Sequence, residues 1–211
     1  MNRHINELYR GVEPLAQNIL NFWFGEFNDS MEVAPEYTDR WFSKNPSFDT
    51  TIKKVYGSYL ETAYMGSLDR WSSTLAGLTA SIIMLDQFPR HIFRADNRAW
   101  FYDKKAISLC LLAIEHKDWV NAPTAWTKFL LMPLMHAEDM SFQVLGLKKL
   151  KEVLDRTDPH LRYLIEGSVA SAKRHQDVIR KFGRFPHRNL LLKRDSTPEE
   201  QAFLKQPGSK F

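Results

Sequence analysis

Two short strings in this chain repeat the same chemistry: Gln87-Phe88-Pro89-Arg90 and Arg184-Phe185-Pro186-His187-Arg188-Asn189. Each follows a long apolar stretch with helical spacing. Proline stops a helix, phenylalanine plugs the core and arginine neutralises the negative helix end, which accounts for either string alone. Two copies in one chain, with Arg94, Arg98 and Arg194 nearby, point to a shared anion site. Guanidinium forks hold carboxylates and phosphates in a geometry that lysine does not offer. The spacing therefore predicts that the two strings meet in space.

A third string, Pro133-Leu134-Met135-His136-Ala137-Glu138-Asp139, puts a histidine and two carboxylates at an expected helix break. His136 and Glu138 suit a general acid–base pair if a substrate lies beside them, and His187 is a second candidate for that role. The spacing is no zinc signature and no cysteine supports one, so neither metal nor cofactor is expected. His175 sits in the apolar seam of its helix between Ala172 and Ile179, where a buried imidazole has to pair its ring nitrogens. Asp86 follows Leu85 at a buried helix end. It would pair with Arg90 if helical geometry persisted past Pro89; since proline disfavours that, Arg184 or Arg188 is the expected partner. The candidate catalytic residues are thus His136, Glu138 and His187. The candidate ligand-binding residues are Asp86, Gln87, Arg90, His175, Arg184, Arg188 and Asn189.

Familiar nucleophile and phosphate motifs are missing from the sequence: no Gly-rich loop, no Gly-x-Ser-x-Gly, no His-Glu-x-x-His, no Cys-x-x-Cys. The formal net charge of +4 is unevenly placed. Between residues 171 and 194, Lys173, Arg174, Arg180, Lys181, Arg184, Arg188, Lys193 and Arg194 face Asp177 alone, so the remainder is net acidic. Anions suit such a face. Nucleic acid is disfavoured, because the positive residues spread around their helix and no recognition motif accompanies them.

The elements that must position these residues are helices. Apolar residues make up 44% and charged residues 26%, a globular composition. Cys110, the only cysteine, lies in an apolar run and reads as a buried structural thiol. No stretch approaches the ~18 apolar residues of a membrane span. With no apolar leader at the N-terminus and no paired cysteines, a cytoplasmic protein is expected, with no membrane partner.

Stripes at helical spacing begin with Leu15, Ile19, Phe22 and Trp23, ended by Gly25. Asn45-Pro46 opens a helix expected to run to about Gly66, and the Leu75–Leu85 seam must end around Phe88. Ala106 to Ile114 forms another stripe, a helix from Thr124 is expected to break at Pro133, and Leu147 to Leu154 marks the next. Asp158-Pro159 opens a long helix to Gly183, and Thr197-Pro198-Glu199-Glu200 has capping-box spacing. The prediction is an all-α fold of about seven to eight helices packed as antiparallel pairs, forming a single domain over residues 1–211. Its N-terminal ~12 residues are expected to pack loosely.

Phe22-Trp23-Phe24-Gly25, Trp41-Phe42, Leu85-Asp86-Gln87-Phe88-Pro89-Arg90, the Pro133–Glu138 string and Phe182-Gly183-Arg184-Phe185-Pro186-His187-Arg188-Asn189 occur in this order, closed by Ser196-Thr197-Pro198-Glu199-Glu200. Together they resemble the bacterial domain-of-unknown-function family 924, from about Leu15 to Leu204. The resemblance implies a tetratricopeptide-like helical array and no particular activity. Two positions depart from the family's usual pattern: Met135 stands where a glutamate commonly precedes the histidine, and Lys193 where glycine is common.

Three readings follow. In the first, the array is a binding module whose Arg/His-lined pocket takes an anionic small molecule or acidic peptide. The second is an enzyme using His136 or His187 in the same pocket. In the third the residues form a buried polar network that fixes helix packing.

Overall fold

Prolines and short polar caps set most of the helix boundaries. The computed structural model describes residues 7–28 and 30–209. Helix α1 (Pro14–Phe24) stops at Gly25, whose φ of +71° and close approach to the Tyr37 ring leave no room for a Cβ. After the single turn α2 (Pro35–Thr38), α3 (Pro46–Tyr56) starts under the side chain of Asn45, which accepts from the Ser47 and Phe48 N–H groups. The helix expected to reach Gly66 is divided: Gly57-Ser58, both weak helix formers, separate α3 from α4 (Tyr59–Tyr64).

Every residue of α5 (Leu75–Ile82) is buried, as an all-round apolar sequence requires. It packs against α1, α7 (Asp103–Ile114) and α8 (Thr124–His136). The chain does not end its helix at Phe88. It passes through a π-helical turn, Ile83–Gln87, in which the Phe88 N–H bonds the Ile83 carbonyl, and resumes as α6 (Phe88–Ile92) with Pro89 in its first turn. Proline is tolerated there because a first-turn N–H has no intrahelical acceptor to lose.

Pro133 likewise lies inside α8 instead of breaking it. The flanking residues Leu130 to Met135 are all buried, and packing on every side outweighs the missing hydrogen bond. Helix α9 (Met140–Arg156) turns back from α8, and its Gln143 side chain donates to the carbonyls of Met135 and Ala137 at 2.6 and 2.8 Å. Gly146 lets the two helices approach, since a Cβ there would lie 3.0 Å from Leu134 Cβ. Helix α10 (Tyr163–Phe182) packs on both α9 and α8 and ends at Gly183 with φ +68°. After a 3₁₀ turn at Pro186–Arg188, α11 (Pro198–Leu204) opens with the complete capping box of Thr197 and Glu200.

The fold is an all-helical array with no strand among the described residues. One apolar cluster runs from Ala16 to Ala172, and a small second one holds Val178, Ile179 and Phe185. Residues 1–6 of the N-terminal stretch lie outside the described residues. Leu8, Tyr9 and Val12 do rest on the core, with Tyr9 edge-on to Trp126.

Candidate functional site

The C-terminal ends of three apolar helices converge. Asp86 leaves the π turn after α5, His136 is the last residue of α8, and Phe185 to Arg188 follow α10. Carbonyl groups without intrahelical partners collect at such ends, and cations suit them. Two arginines meet that demand: Arg90 Nη1 donates to the Asp86 carbonyl at 2.6 Å, and Arg188 Nη2 donates to the His136 carbonyl at 3.0 Å.

Asp86 is wholly buried. Its Oδ1 accepts from His136 Nδ1 at 2.8 Å and pairs with Arg90 Nη1 at 3.1 Å, while Gln87 Nε2 donates to Oδ2. The direct Asp86–Arg90 pair corrects the expectation that Arg184 or Arg188 would be the partner, and its cause is the helix persisting through Pro89. Burial raises the Asp86 carboxyl, but Arg90 and His136 outweigh it and bring the pKa down to about 2. Gln87 also reaches Met132 Sδ at 3.4 Å.

Arg90 places its other fork on Asp103, the first residue of α7, at 2.9 and 3.1 Å. Asp103 also faces Arg188, at 3.7 Å from Nη1. The two Phe-Pro strings therefore meet through their arginines at Asp103. Their phenylalanines do not share a cluster: Phe88 stacks on Tyr56 at 4.8 Å in the main core, and Phe185 belongs to the smaller cluster.

His136 is pulled below its ordinary pKa by burial and by Arg90, against the opposing pull of Asp86. In the neutral ring, Nδ1 carries the proton donated to Asp86, which has only acceptors to offer, so Nε2 is the basic nitrogen. The His175 ring lies 6.3 Å from that of His136, and its Nδ1 bonds the Ser171 carbonyl one turn back at 2.9 Å. Burial first, and His136 second, bring His175 down to about 3. Burial and Arg188 bring His187 down to about 4, and its ring lies 5.7 Å from Phe185 and 6.5 Å from Trp100.

Arg188 lies between two rings, its guanidinium carbon 4.6 Å from the Phe185 centroid and 5.2 Å from that of Trp100. Its side chain is 8% exposed, and Nε has no hydrogen-bond partner among the described residues. Burial lowers its pKa to about 10 despite the facing Asp103 carboxylate.

The remaining sequence candidates form a second, adjoining network. Glu138 accepts the Phe185 N–H at 2.7 Å and a two-point fork from Arg194 at 2.6 and 2.9 Å, which hold its carboxyl below the ordinary range although burial raises it. Arg194 also donates to Asn189 Oδ1, and Asn189 Nδ2 reaches Ser196 and Glu200. Arg184 forks onto Glu200 at 2.7 and 2.8 Å. Its hydrogen bonds, with those from the Thr197 N–H and Asn189, bring Glu200 down to about 2.

Asp103, Trp100 and Glu200 were not marked as site residues by the sequence. Glu200 was visible only as a helix cap, and Asp103 carries no local signal because its partners are 13 residues or more away in the chain. Among the described residues no group of histidine, cysteine and carboxylate side chains is arranged to hold a metal ion. A surface cleft of about 340 Å³ lies elsewhere, lined by Glu26, Asn28, Glu32, Val33, Ala34, Pro35 and Tyr163.

No curated protein matches this chain. A solved structure of a protein of unknown function from Agrobacterium tumefaciens is similar, with a TM-score of 0.76 and 28% sequence identity over 90% of this chain and 97% of that one. Residues 19–208 match the model of a family described as "Bacterial protein of unknown function (DUF924)". With nine-tenths of its length inside that match, the chain belongs to DUF924.

Proposed function

We propose that the place where the π turn, α7, the end of α8 and the Pro186–Arg188 turn converge binds the carboxylate or phosphate group of a small molecule at Arg188. The observation that carries this reading is the poor pairing of Arg188 compared with its neighbours. Arg90 holds Asp103 and Asp86, Arg194 holds Glu138 and Arg184 holds Glu200. Among the described residues the Arg188 side chain makes a single hydrogen bond, to the His136 carbonyl, and its nearest carboxylate is already engaged by Arg90. A guanidinium offers five N–H donors and gains most from a two-point oxyanion. Cation–π contacts with Trp100 and Phe185 restrain the guanidinium, which reduces the entropy lost on capture.

The adjoining network favours a structural role for Glu138, Arg184 and Asn189. Their polar groups are engaged with Arg194, Glu200 and Ser196, and the bonds tie the segment from Phe185 to Glu200 onto the end of α8.

A thermal-shift titration with phosphate, sulfate, acetate and succinate on wild type and Arg188→Lys tests the reading. At least one oxyanion at millimolar concentration should raise the wild-type Tm, and the rise should be lost in Arg188→Lys, which keeps charge but not the fork. Absence of any shift in the wild type, or an equal shift in the variant, would overturn it.

A further inference from the structure

The Asp86–His136 pair has the arrangement of an oriented base. The His136 side chain is 14% exposed to solvent, whereas that of Asp86 has no exposed surface. Among the described residues, no side chain or backbone group hydrogen-bonds Nε2. The backbone carbonyl of the same residue accepts from Arg188, so His136 is held at Nδ1 and at its main chain beside the proposed oxyanion site. Among the described residues the ring is engaged through Nδ1 alone.

We propose that His136 is a general base, with Asp86 its positioning residue, acting on the small molecule held at Arg188. The inference rests on that binding reading for its substrate class: a carboxylate- or phosphate-bearing molecule with a removable proton within reach of Nε2. In the step, Nε2 takes the proton and the imidazole becomes imidazolium, with Nδ1–H still directed at Asp86. The electron pair left on the substrate develops negative charge beside Arg188. The proton returns to substrate or product when the imidazolium releases it. Asp86, Arg90, Asp103, His175, His187 and Arg188 are the charged and titratable groups around the ring, and the nearest carboxylate–guanidinium pairs offset one another. No cysteine or metal is needed for this chemistry.

Carbethoxylation with diethyl pyrocarbonate at pH 6–7 tests the proposal on the intact protein, since the reagent acylates an accessible, unprotonated imidazole nitrogen. Peptide mapping should find His136 modified in the folded wild type, at a rate that 10–50 mM phosphate lowers severalfold. Imidazole ¹⁵N shifts should show the Nδ1–H tautomer at His136. In Asp86→Asn the amide can donate to Nδ1, so the Nε2–H tautomer should grow and the modification rate fall by roughly tenfold or more. If His136 stays unmodified while the exposed His160 reacts, Nε2 is sealed and the base proposal is overturned. Modification that phosphate does not slow, in protein whose Tm phosphate does raise, separates base from bound ligand and overturns it too. If phosphate neither raises Tm nor slows modification, the binding reading fails, and the ¹⁵N tautomer alone decides whether an oriented base remains. The phosphate and tautomer measurements need only wild-type protein, so a variant that fails to fold does not protect the proposal.

Discussion

Oδ1 of Asp86 serves two partners at once, His136 Nδ1 at 2.8 Å and Arg90 Nη1 at 3.1 Å, from a position with no solvent exposure. One carboxylate oxygen thus joins the end of α5 to the end of α8 and to the first turn of α6. Asp86→Asn keeps the shape and removes the charge. Arg90 would retain Asp103, so the loss at pH 7 should be about 3 kcal/mol, the lower end of what breaking a buried pair costs. Asp86 has a folded pKa of about 2, below the ordinary value near 3.8. Its contribution is therefore complete above pH ~4 and disappears as pH falls through about 2. Urea unfolding of wild type and variant from pH 7 down to pH 2.5 should show the difference shrinking only below pH ~4.

The histidines set a separate acid dependence. His175 and His187 are held neutral, at about 3 and about 4, against ~6.5 in an unfolded chain. Between these values the unfolded state binds protons that the folded state does not, so stability rises with pH. The contribution is complete above pH ~6.5 and declines steadily below it. His175→Gln should flatten the slope between pH 6.5 and 4.5 by up to ~1.4 kcal/mol per pH unit. An unchanged slope, by chemical denaturation at several pH values, would show that His175 titrates normally in the fold.

The helices were legible because their caps and stripes are local. Asn45-Pro46, Gly25, Gly183 and Thr197–Glu200 each act within a few residues, and each appears where the sequence puts it. Pro89 and Pro133 misled for the opposite reason. Pro89 is accommodated by the π turn before it and Pro133 by the burial around it, and only the assembled fold supplies either. The same limit applies to the site. Asp86, Arg90, His136 and Arg188 stood out by type and position, but Asp103, which links both arginines, is an ordinary helix-start aspartate until the two chains of contacts reach it.

Lys193 carries a backbone cost of its own. Its φ is +53°, in the left-handed region where side chains are disfavoured and glycine is not. Lys193→Gly should relieve ~1 kcal/mol of backbone strain, partly offset by the extra freedom of glycine in the unfolded chain. A net gain of roughly 0.5 kcal/mol, a Tm rise of about 1–2 °C, is expected. A fall in Tm on differential scanning calorimetry would mean that the lysine side chain contributes more than its backbone costs.

The two arginines that meet at Asp103 should respond very unequally to the same truncation. Arg90→Ala leaves both Asp86 and Asp103 without their main counter-charge, and Asp86 has no route to water. A loss of ~3–5 kcal/mol is expected, a large share of the ~5–15 kcal/mol that stabilises a whole domain. Arg90→Met together with Asp86→Leu should recover part of it, because the buried charge disappears with its partner; His136 would still lose its acceptor, so recovery should be incomplete. Arg188→Ala removes a buried cation that makes one hydrogen bond and a 3.7 Å ion contact, and it also relieves the repulsion between Arg188 and Arg90. The lost stacking on Phe185 and Trp100 opposes that relief, so the change should stay within about 1.5 kcal/mol. Chemical denaturation in oxyanion-free buffer separates the two. A loss at Arg188→Ala as large as that at Arg90→Ala would show that Arg188 is a structural member of the network, and the case for a ligand at its guanidinium would fall.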